Sequence, residues 1–214
     1  MKLLITGFDP FGGATINPAY DAVKLLPDVI DGCDIIKLEV PTVFVQDGVA
    51  MEKAVEEHHP DIVLCVGQAG GRSNMTVEKI AVNLMDARIP DNRNQQPLDQ
   101  AIAEDGENAY FAKLPVKAMV KAMKDAGIPA SVSYSAGTYV CNDLMYRVLY
   151  LIDKKYPSMR GGFVHVPFLP EQVLEMPVGT PSMSAETIAK ALECGIKAIL
   201  ANEDDIVAVG GEIH

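Results

Sequence analysis

Short apolar runs rich in β-branched residues alternate with helical segments along most of this chain. The strand-like segments are KLLITGF, CDIIKLEV, DIVLCVG, ASVSYS and GGFVHVPF, and the segments between most of them carry apolar residues at helical spacing. This alternation is typical of β-α-β units, in which helices bury parallel strands on both faces. The sequence therefore predicts an α/β fold, an α/β/α sandwich with a mostly parallel sheet.

Length and composition narrow the class of protein. A chain of 214 residues can bury one sizeable core, and no stretch resembles a linker, so we predict a single domain over residues 1–214. No apolar run approaches the ~20 residues that span a bilayer, so no membrane partner is expected. The net charge of −11 argues against a nucleic-acid partner, because such binding needs clustered lysines and arginines.

Cys141 is the only cysteine at a predicted strand-to-helix junction, in YSAGTYVCNDLMYR, with a glycine turn before it. Free N–H groups and the helix dipole at a helix N-terminus favour a thiolate and can lower a thiol pKa from about 8.5. Cys65 and Cys194 lie in apolar segments and are predicted to be packed and unreactive, while Cys33 opens a strand. Cys141 is therefore the candidate nucleophile. The four cysteines form no CxxC pair, which predicts neither a metal site nor disulfides and favours a cytoplasmic location.

A cysteine nucleophile needs a nearby base, and the chain has four histidines. His58 and His59 end a predicted helix, and His214 is the last residue. His165 lies in the strand GGFVHVPF, whose carboxyl end is expected at the same sheet edge as Cys141. An isolated histidine in a strand is more often a packed core residue, but the pairing with Cys141 favours a general acid/base.

A third group is needed to hold the histidine ring, and three carboxylates are candidates. Glu78 lies among apolar residues in MTVEKIAVN, shortly after the segment GQAGGR. Asp9 and Asp86 are alternatives that the residue pattern leaves open. Residues 86–115 form a long polar excursion, of the kind that usually serves as a lid, a subunit contact or a binding loop.

Seven segments spread over residues 7–170 form a more specific pattern. They are GFDPFGG at 7–13, INP at 16–18, GQAGGR at 67–72, VEKIAVN at 77–83, DARIPDN at 86–92, GTYVCN at 137–142 and GFVHVPFLP at 162–170. In content and order they resemble the pyrrolidone-carboxylate peptidases, also called pyroglutamyl peptidases type I. The resemblance implies a cysteine peptidase that removes an N-terminal pyroglutamyl residue from peptides through an acyl-enzyme. It assigns Cys141 as nucleophile, His165 as general acid/base and Glu78 as the third triad member.

The resemblance also implies a phosphorylase/hydrolase-like sandwich, a cytoplasmic location, a homotetramer and no metal or organic cofactor. A pyroglutamyl group is a small neutral lactam, so its site needs flat apolar faces and an amide partner. Phe8 and Phe11 are predicted to sandwich the ring, and Gln68 or Asn17 to pair with the lactam edge. Arg88 is assigned to the oxyanion by resemblance. Core packing of the phenylalanines, a helix cap at Asn17 and a surface salt bridge at Arg88 are the simpler explanations.

Two other functions remain open from the residues. A nucleoside phosphorylase would use the glycine loops GFDPFGG and GQAGGR to hold an anion, with Arg72 as a phosphate ligand. Neither loop matches the fingerprint GxxxxGK[ST], which counts against this hypothesis. A non-catalytic interaction protein of the same fold would have an unreactive Cys141.

Overall fold

The computed structural model describes residues 1–211, so the interpretation of His214 lies outside the described residues. The strands are β1 (Lys2–Phe8), β2 (Val29–Ile30), β3 (Cys33–Val40), β4 (Ile62–Gln68), β5 (Met75–Glu78), β6 (Ile80–Val82), β7 (Ala109–Phe111), β8 (Ala130–Ser133) and β9 (Arg160–Val166). The helices are α1 (Pro18–Lys24), α2 (Gln46–His58), α3 (Val116–Asp125), α4 (Val140–Lys154) and α5 (Ala185–Ala201), with one 3-10 turn at Pro170–Val173.

Seven strands form the central sheet in the order β2-β3-β1-β4-β9-β5-β8. The neighbours from β3 to β9 are parallel, and β5 is parallel to β8. The short β2 is antiparallel to β3, and β5 is antiparallel to β9. The predicted α/β class with a mostly parallel sheet is confirmed, and the reversal between β9 and β5 is a feature that the sequence pattern does not predict.

Helices cover both faces of the sheet. Helices α1, α3 and α5 pack together on one face, and α2 and α4 pack together on the other. The central strands β1 and β4 are almost entirely buried, as expected for parallel strands between two helical layers. None of the helices in the described residues is long and apolar enough to cross a membrane.

Local sequence explains where two of the predicted helices stop or start. Asn17 caps α1, because its Oδ1 accepts the Ala19 N–H at 3.0 Å, and Pro18 occupies the first helical position. Helix α2 ends at His58, where His59 adopts a left-handed conformation with φ 48° directly before Pro60.

The reversed direction of β8 corrects one expectation. From the sequence, the loops after Phe8, Gly67 and Ser135 are expected to leave the sheet at one edge, because the carboxyl ends of parallel strands share an edge. Instead β8 runs with β5 and against β9, so its carboxyl end points away from that edge. The chain still reaches the site, because α4 begins at Val140 and places Cys141 beside Gly67.

Candidate active site

The candidate nucleophile lies on the α4 side of the sheet, next to two parallel strands. Gly67 on β4 pairs in register with His165 on β9. A Cβ atom added at Gly67 would lie 2.9 Å from Cys141 Sγ, so the sulfur occupies the space that a side chain there would need. Register partners on neighbouring strands point to the same face, so the sulfur and the imidazole lie on one face, side by side.

A buried carboxylate holds the histidine ring. The Nδ1 atom of His165 lies 2.7 Å from Glu78 Oε1, and both side chains are buried. Arg72 Nη1 donates to the same carboxylate oxygen at 2.8 Å and to Thr76 Oγ1 at 2.6 Å. Of the three carboxylate candidates, Glu78 is therefore the one that binds the histidine.

These contacts define the protonation of the pair. Burial raises the pKa of Glu78, but hydrogen bonds and charge from His165 and the Arg72 guanidinium outweigh it, so the pKa lies below its ordinary value. Glu78 is thus an ionised acceptor, and the Nδ1 atom of His165 must carry the proton. The Nε2 atom has no hydrogen-bond partner among residues 1–211, which leaves it free to accept a proton.

The Cys141 thiol differs from the expectation of a lowered pKa. Burial raises its pKa, and the charge of Glu78 adds to this effect, while Arg72 opposes it. Loss of hydration therefore opposes the effect of the helix N-terminus and favours the neutral thiol. Such a thiol becomes a nucleophile when a base takes its proton, and His165 is the histidine that lies beside it.

Free N–H groups lie at the first turn of α4. The N–H groups of Asn142 and Asp143 both donate to the Tyr139 carbonyl oxygen, at 3.0 and 3.2 Å. In the described part of the chain, the N–H groups of Val140 and Cys141 have no acceptor. They are positioned to receive a negative oxygen that forms on a carbonyl attacked by Cys141.

A small, mostly apolar cavity opens beside the cysteine. Its volume is about 40 Å³. It is lined by Phe8, Phe11, Asn17, Thr42, Gln68, Tyr139, Val140 and Cys141. Four of the five predicted substrate-binding residues therefore meet at one cavity that includes the nucleophile.

The two predicted phenylalanines form different parts of this cavity. Phe8 is buried at the end of β1 and packs 6.5 Å, centroid to centroid, from Phe163. Phe11 lies in the loop after β1, is half-buried, and faces the Tyr139 ring at 6.4 Å. Phe8 is thus a buried core wall of the cavity, whereas Phe11 is a partly exposed loop residue that also lines it.

The two predicted amides are partly engaged by the protein. Asn17 caps α1 and also donates from Nδ2 to the Asp9 carbonyl at 2.8 Å, so its cap role is realised. Gln68 Oε1 accepts from Gln172 Nε2 at 2.9 Å, while the Gln68 amide nitrogen has no partner within residues 1–211. Gln68 is therefore the better placed of the two to bind a lactam carbonyl.

The remaining candidates lie apart from the cavity. Arg88 is exposed and does not line it, so its assignment to the oxyanion remains a prediction. Asp9 Oδ1 accepts the Thr42 N–H at 2.7 Å, so this carboxylate binds the segment after β3 and not the histidine. Asp86 is exposed, and its backbone N–H and carbonyl oxygen pair with Thr138.

The polar excursion wraps around the site. Its first part binds the turn before Cys141, since Tyr139 donates from its hydroxyl to the Pro90 carbonyl at 3.0 Å. Asn92 Nδ2 donates to the Pro10 carbonyl at 2.9 Å and so reaches the loop that carries Phe11. The excursion therefore links the nucleophile turn to the cavity loop and is not a detached lid.

The sequence does not indicate the roles that three residues near the site have in the structure. Arg72 was considered as a phosphate ligand, but its guanidinium is engaged by Glu78, which removes the main support for the phosphorylase hypothesis. Tyr139 lines the cavity, although the sequence marks it only as part of the glycine turn. Thr42 follows β3, and the carboxyl ends of parallel strands could have suggested it.

The described residues contain no group of three or more histidine, cysteine, aspartate or glutamate side chains suited to a metal ion.

Comparison with known proteins gives one family throughout. The family model described as pyroglutamyl peptidase matches residues 1–202. The pyrrolidone-carboxylate peptidases of Clostridium perfringens and Enterococcus faecalis are 58% and 56% identical to this chain, each over 100% of both chains. The crystal structure of pyroglutamyl peptidase I from Bacillus amyloliquefaciens superposes with a TM-score of 0.93 at 44% identity, over 97% of this chain and 99% of that chain. The pyrrolidone carboxyl peptidase of Thermococcus litoralis gives a TM-score of 0.93 at 41% identity, over the same shares.

These matches cover nearly the whole chain and agree with the seven signature segments. This chain belongs to the pyroglutamyl peptidase family.

Proposed function

We propose that this protein is a cysteine peptidase that hydrolyses the bond after an N-terminal pyroglutamyl residue of a peptide. One observation carries the proposal: Cys141 lines a small, mostly apolar cavity and also lies against Gly67, whose register partner His165 is bound by Glu78. A substrate ring in the cavity would bring its carbonyl carbon close to the sulfur.

The proposed acylation begins with proton transfer from the Cys141 thiol to His165 Nε2. The sulfur attacks the pyroglutamyl carbonyl carbon, and the new oxyanion is received by the N–H groups of Val140 and Cys141. His165 then gives the proton to the departing amine, and the carbon–nitrogen bond breaks. Glu78 keeps the ring oriented and stabilises its positive charge, since the carboxylate stays ionised beside it.

Deacylation uses the same groups in reverse. His165 Nε2 takes a proton from water, the hydroxide attacks the thioester carbon, and the sulfur of Cys141 leaves and regains the proton. The products are free pyroglutamate and the shortened peptide. The two steps balance in atoms and charge without a cofactor.

The cavity supports specificity for a neutral lactam. No carboxylate lines it, so it offers no partner for a charged α-amine. The free amide nitrogen of Gln68 supplies a donor for the lactam carbonyl, and the rings of Phe8 and Phe11 supply apolar faces. A prolyl analogue lacks that carbonyl and leaves the donor unpaired, which costs about 1–3 kcal/mol, or roughly 5- to 150-fold in selectivity.

The test is the release of a chromogenic amine from its pyroglutamyl conjugate, with the prolyl conjugate measured in parallel. Wild type and the Cys141→Ala variant are compared under reducing conditions, with Cys194→Ala as the matched cysteine control. Turnover of the pyroglutamyl conjugate alone, lost in Cys141→Ala and kept in Cys194→Ala, is the expected result. Equal turnover of both conjugates, or activity in Cys141→Ala, would contradict the proposal.

We also propose a cytoplasmic homotetramer. All four cysteines are free, as expected in a reducing compartment. Leu174 and Val178 are largely exposed on the segment after β9, and exposed apolar side chains of this kind favour a subunit contact. Light scattering after size-exclusion chromatography should give four chains, and a monomer would refute the assembly. Cell fractionation tests the location.

A further inference from the structure

A pair of buried carboxyl groups lies behind the nucleophile, where the proposed chemistry does not use it. Asp47 on α2 and Asp143 on α4 are both fully buried. Asp143 accepts the Arg147 Nε–H at 2.9 Å with one oxygen and the Val45 N–H at 2.8 Å with the other. Asp47 accepts only the N–H of Gly48, and its Oδ2 has no partner among the described residues.

The charges of this cluster do not balance if both acids are ionised. Arg147 is the cation at the pair, and its Nε–H is directed at Asp143. Gly48 allows the Arg147 side chain to pack closely against α2, because a Cβ atom at position 48 would overlap that side chain. A second, unpaired negative charge in this interior is strongly disfavoured. The Asp143 carboxyl lies within hydrogen-bonding reach of the Asp47 side chain, so a proton on Asp47 Oδ2 removes the charge and turns an orphan acceptor into a donor for Asp143.

The electrostatic environment agrees with this interpretation. Burial raises the pKa of Asp47 well above its ordinary value, and the charge of Asp143 adds to the effect, while the Gly48 N–H and Arg147 oppose it. A charge on Asp47 would raise the pKa values of Cys65 on β4 and of Cys141 on α4, so a proton on Asp47 removes a negative charge from the surroundings of the nucleophile.

The pair also connects the site to a strained turn. Val45 has φ 69°, a left-handed conformation that is unfavourable for a β-branched residue. Asp143, in the first turn of α4, holds this turn through the Val45 N–H. The preceding residue, Phe44, packs edge-on against the Tyr139 ring that lines the cavity, with centroids 5.3 Å apart.

We propose that Asp47 is a positioning residue for the peptidase reaction: it carries a proton at neutral pH and donates it to Asp143. The hydrogen bond joins α2 to the first turn of α4 and keeps the interior behind Cys141 free of a second negative charge while the thiolate forms. This inference rests on the proposed function for its catalytic meaning only. When alkaline pH removes the proton, both the folded state and the Cys141 thiolate lose stability.

The first test measures folding and needs no peptidase activity. Asp47→Asn keeps a neutral hydrogen-bond donor and is compared with unmutated Asp47, both in a Cys141→Ala background, by urea unfolding from pH 5 to 8. A carboxyl that is protonated when folded and ionised when unfolded weakens the fold as pH rises towards its folded pKa. Between the unfolded pKa of about 3.9 and the folded pKa, the unfolding constant of the Asp47 protein should therefore rise by up to about tenfold per pH unit relative to the asparagine variant.

A ratio that is constant with pH, or that falls with pH, would mean that Asp47 is ionised and would overturn the proposal. Asp47→Ala is the control for the hydrogen bond and should be less stable than Asp47→Asn at every pH. If the asparagine variant does not fold, infrared spectroscopy of the wild type tests whether a buried carboxyl group is protonated. A protonated carboxyl band at pH 7 supports the proposal, and its absence refutes it.

The second test measures the reactivity of the Cys141 thiol directly. The rate of Cys141 alkylation is measured against pH in wild type and Asp47→Asn. The two rates should agree at neutral pH and diverge at alkaline pH, where only the wild type gains the extra negative charge and reacts more slowly. Rates that coincide over the whole range would overturn the link to the nucleophile. A failure of the peptidase assay alone would leave both tests intact and would count against the proposed function instead.

Discussion

Arg72 offers a quantitative test of how the His165–Glu78 pair is held. Its Nη1 atom donates to Glu78 Oε1 at 2.8 Å, with the carboxylate fully buried and the arginine side chain 34% exposed. A hydrogen bond to a charged group contributes about 1.5–3 kcal/mol. Partial exposure of Arg72 reduces this value, so we expect about 1–2 kcal/mol of stability to be lost in Arg72→Met at neutral pH.

The loss should depend on pH with a defined sign. The pKa of Glu78 is lowered in the folded protein, so its contribution is present above the unfolded pKa of about 4.3 and disappears as pH falls through the folded pKa. Arg72→Met makes that lowering smaller. The stability difference between wild type and variant should therefore be full at pH 6–7 and shrink towards zero below pH 4.

Urea unfolding of wild type and Arg72→Met at pH 7, 5.5 and 4 measures this difference. Arg93→Met is the matched control, because Arg93 is an exposed arginine whose side chain makes no hydrogen bond in the described residues. A difference that stays the same at pH 7 and pH 4 would show that Arg72 acts by packing, and the electrostatic explanation would fail. A more stable Arg72→Met variant would refute it as well.

Four further substitutions test separate parts of the site. Cys141→Ser and His165→Ala should each lose at least several hundredfold in turnover while circular dichroism shows a folded protein, and near-normal rates would refute the assignments. Gly67→Ala should remove most activity, because the added Cβ would lie 2.9 Å from Cys141 Sγ and must displace it, at a cost of about 1–3 kcal/mol in stability. A wild-type value of kcat/KM in this variant would contradict the packing of the sulfur against Gly67. Asn142→Ala should lower the free energy of unfolding by about 2–3 kcal/mol, because the Asn142 amide accepts the Val82 N–H and donates to the Val82 and Leu84 carbonyls, which all lose a partner. An unchanged midpoint of urea unfolding would contradict this prediction.

The sequence predicts those parts of the fold that rest on local patterns. Apolar runs become β1 and β4, and the apolar spacing after Cys141 becomes α4, because both depend on which side chains face the core. The antiparallel direction of β5 was not predictable, since strand direction depends on partners distant in the chain. The β6–β7 hairpin, Ile80–Val82 with Ala109–Phe111, was missed because its strands are 26 residues apart.

The candidate site shows the same division. Cys141 was identified from its helix N-terminus, and the structure places it there. Its raised pKa was not predictable, because the effect comes from burial and from the charge of Glu78, which reach it only through the tertiary fold. Asp47 carries no signal in the sequence beyond its place in the first turn of α2, and only the packing of α2 on α4 shows that it is a buried neighbour of Asp143.

The reversal of β5 explains how the carboxylate and the sulfur approach the imidazole from different sides. Because β5 is antiparallel to β9, Thr76 lies opposite His165, and Glu78 lies opposite Phe163, further from the edge where the loops meet. Glu78 therefore binds Nδ1 from the interior of the sheet, where burial strengthens the contact and the Arg72 guanidinium keeps the carboxylate charged. Because Glu78 occupies Nδ1, the Nε2 atom on the opposite side of the imidazole ring has no partner among the described residues and remains available to take the proton of the Cys141 thiol.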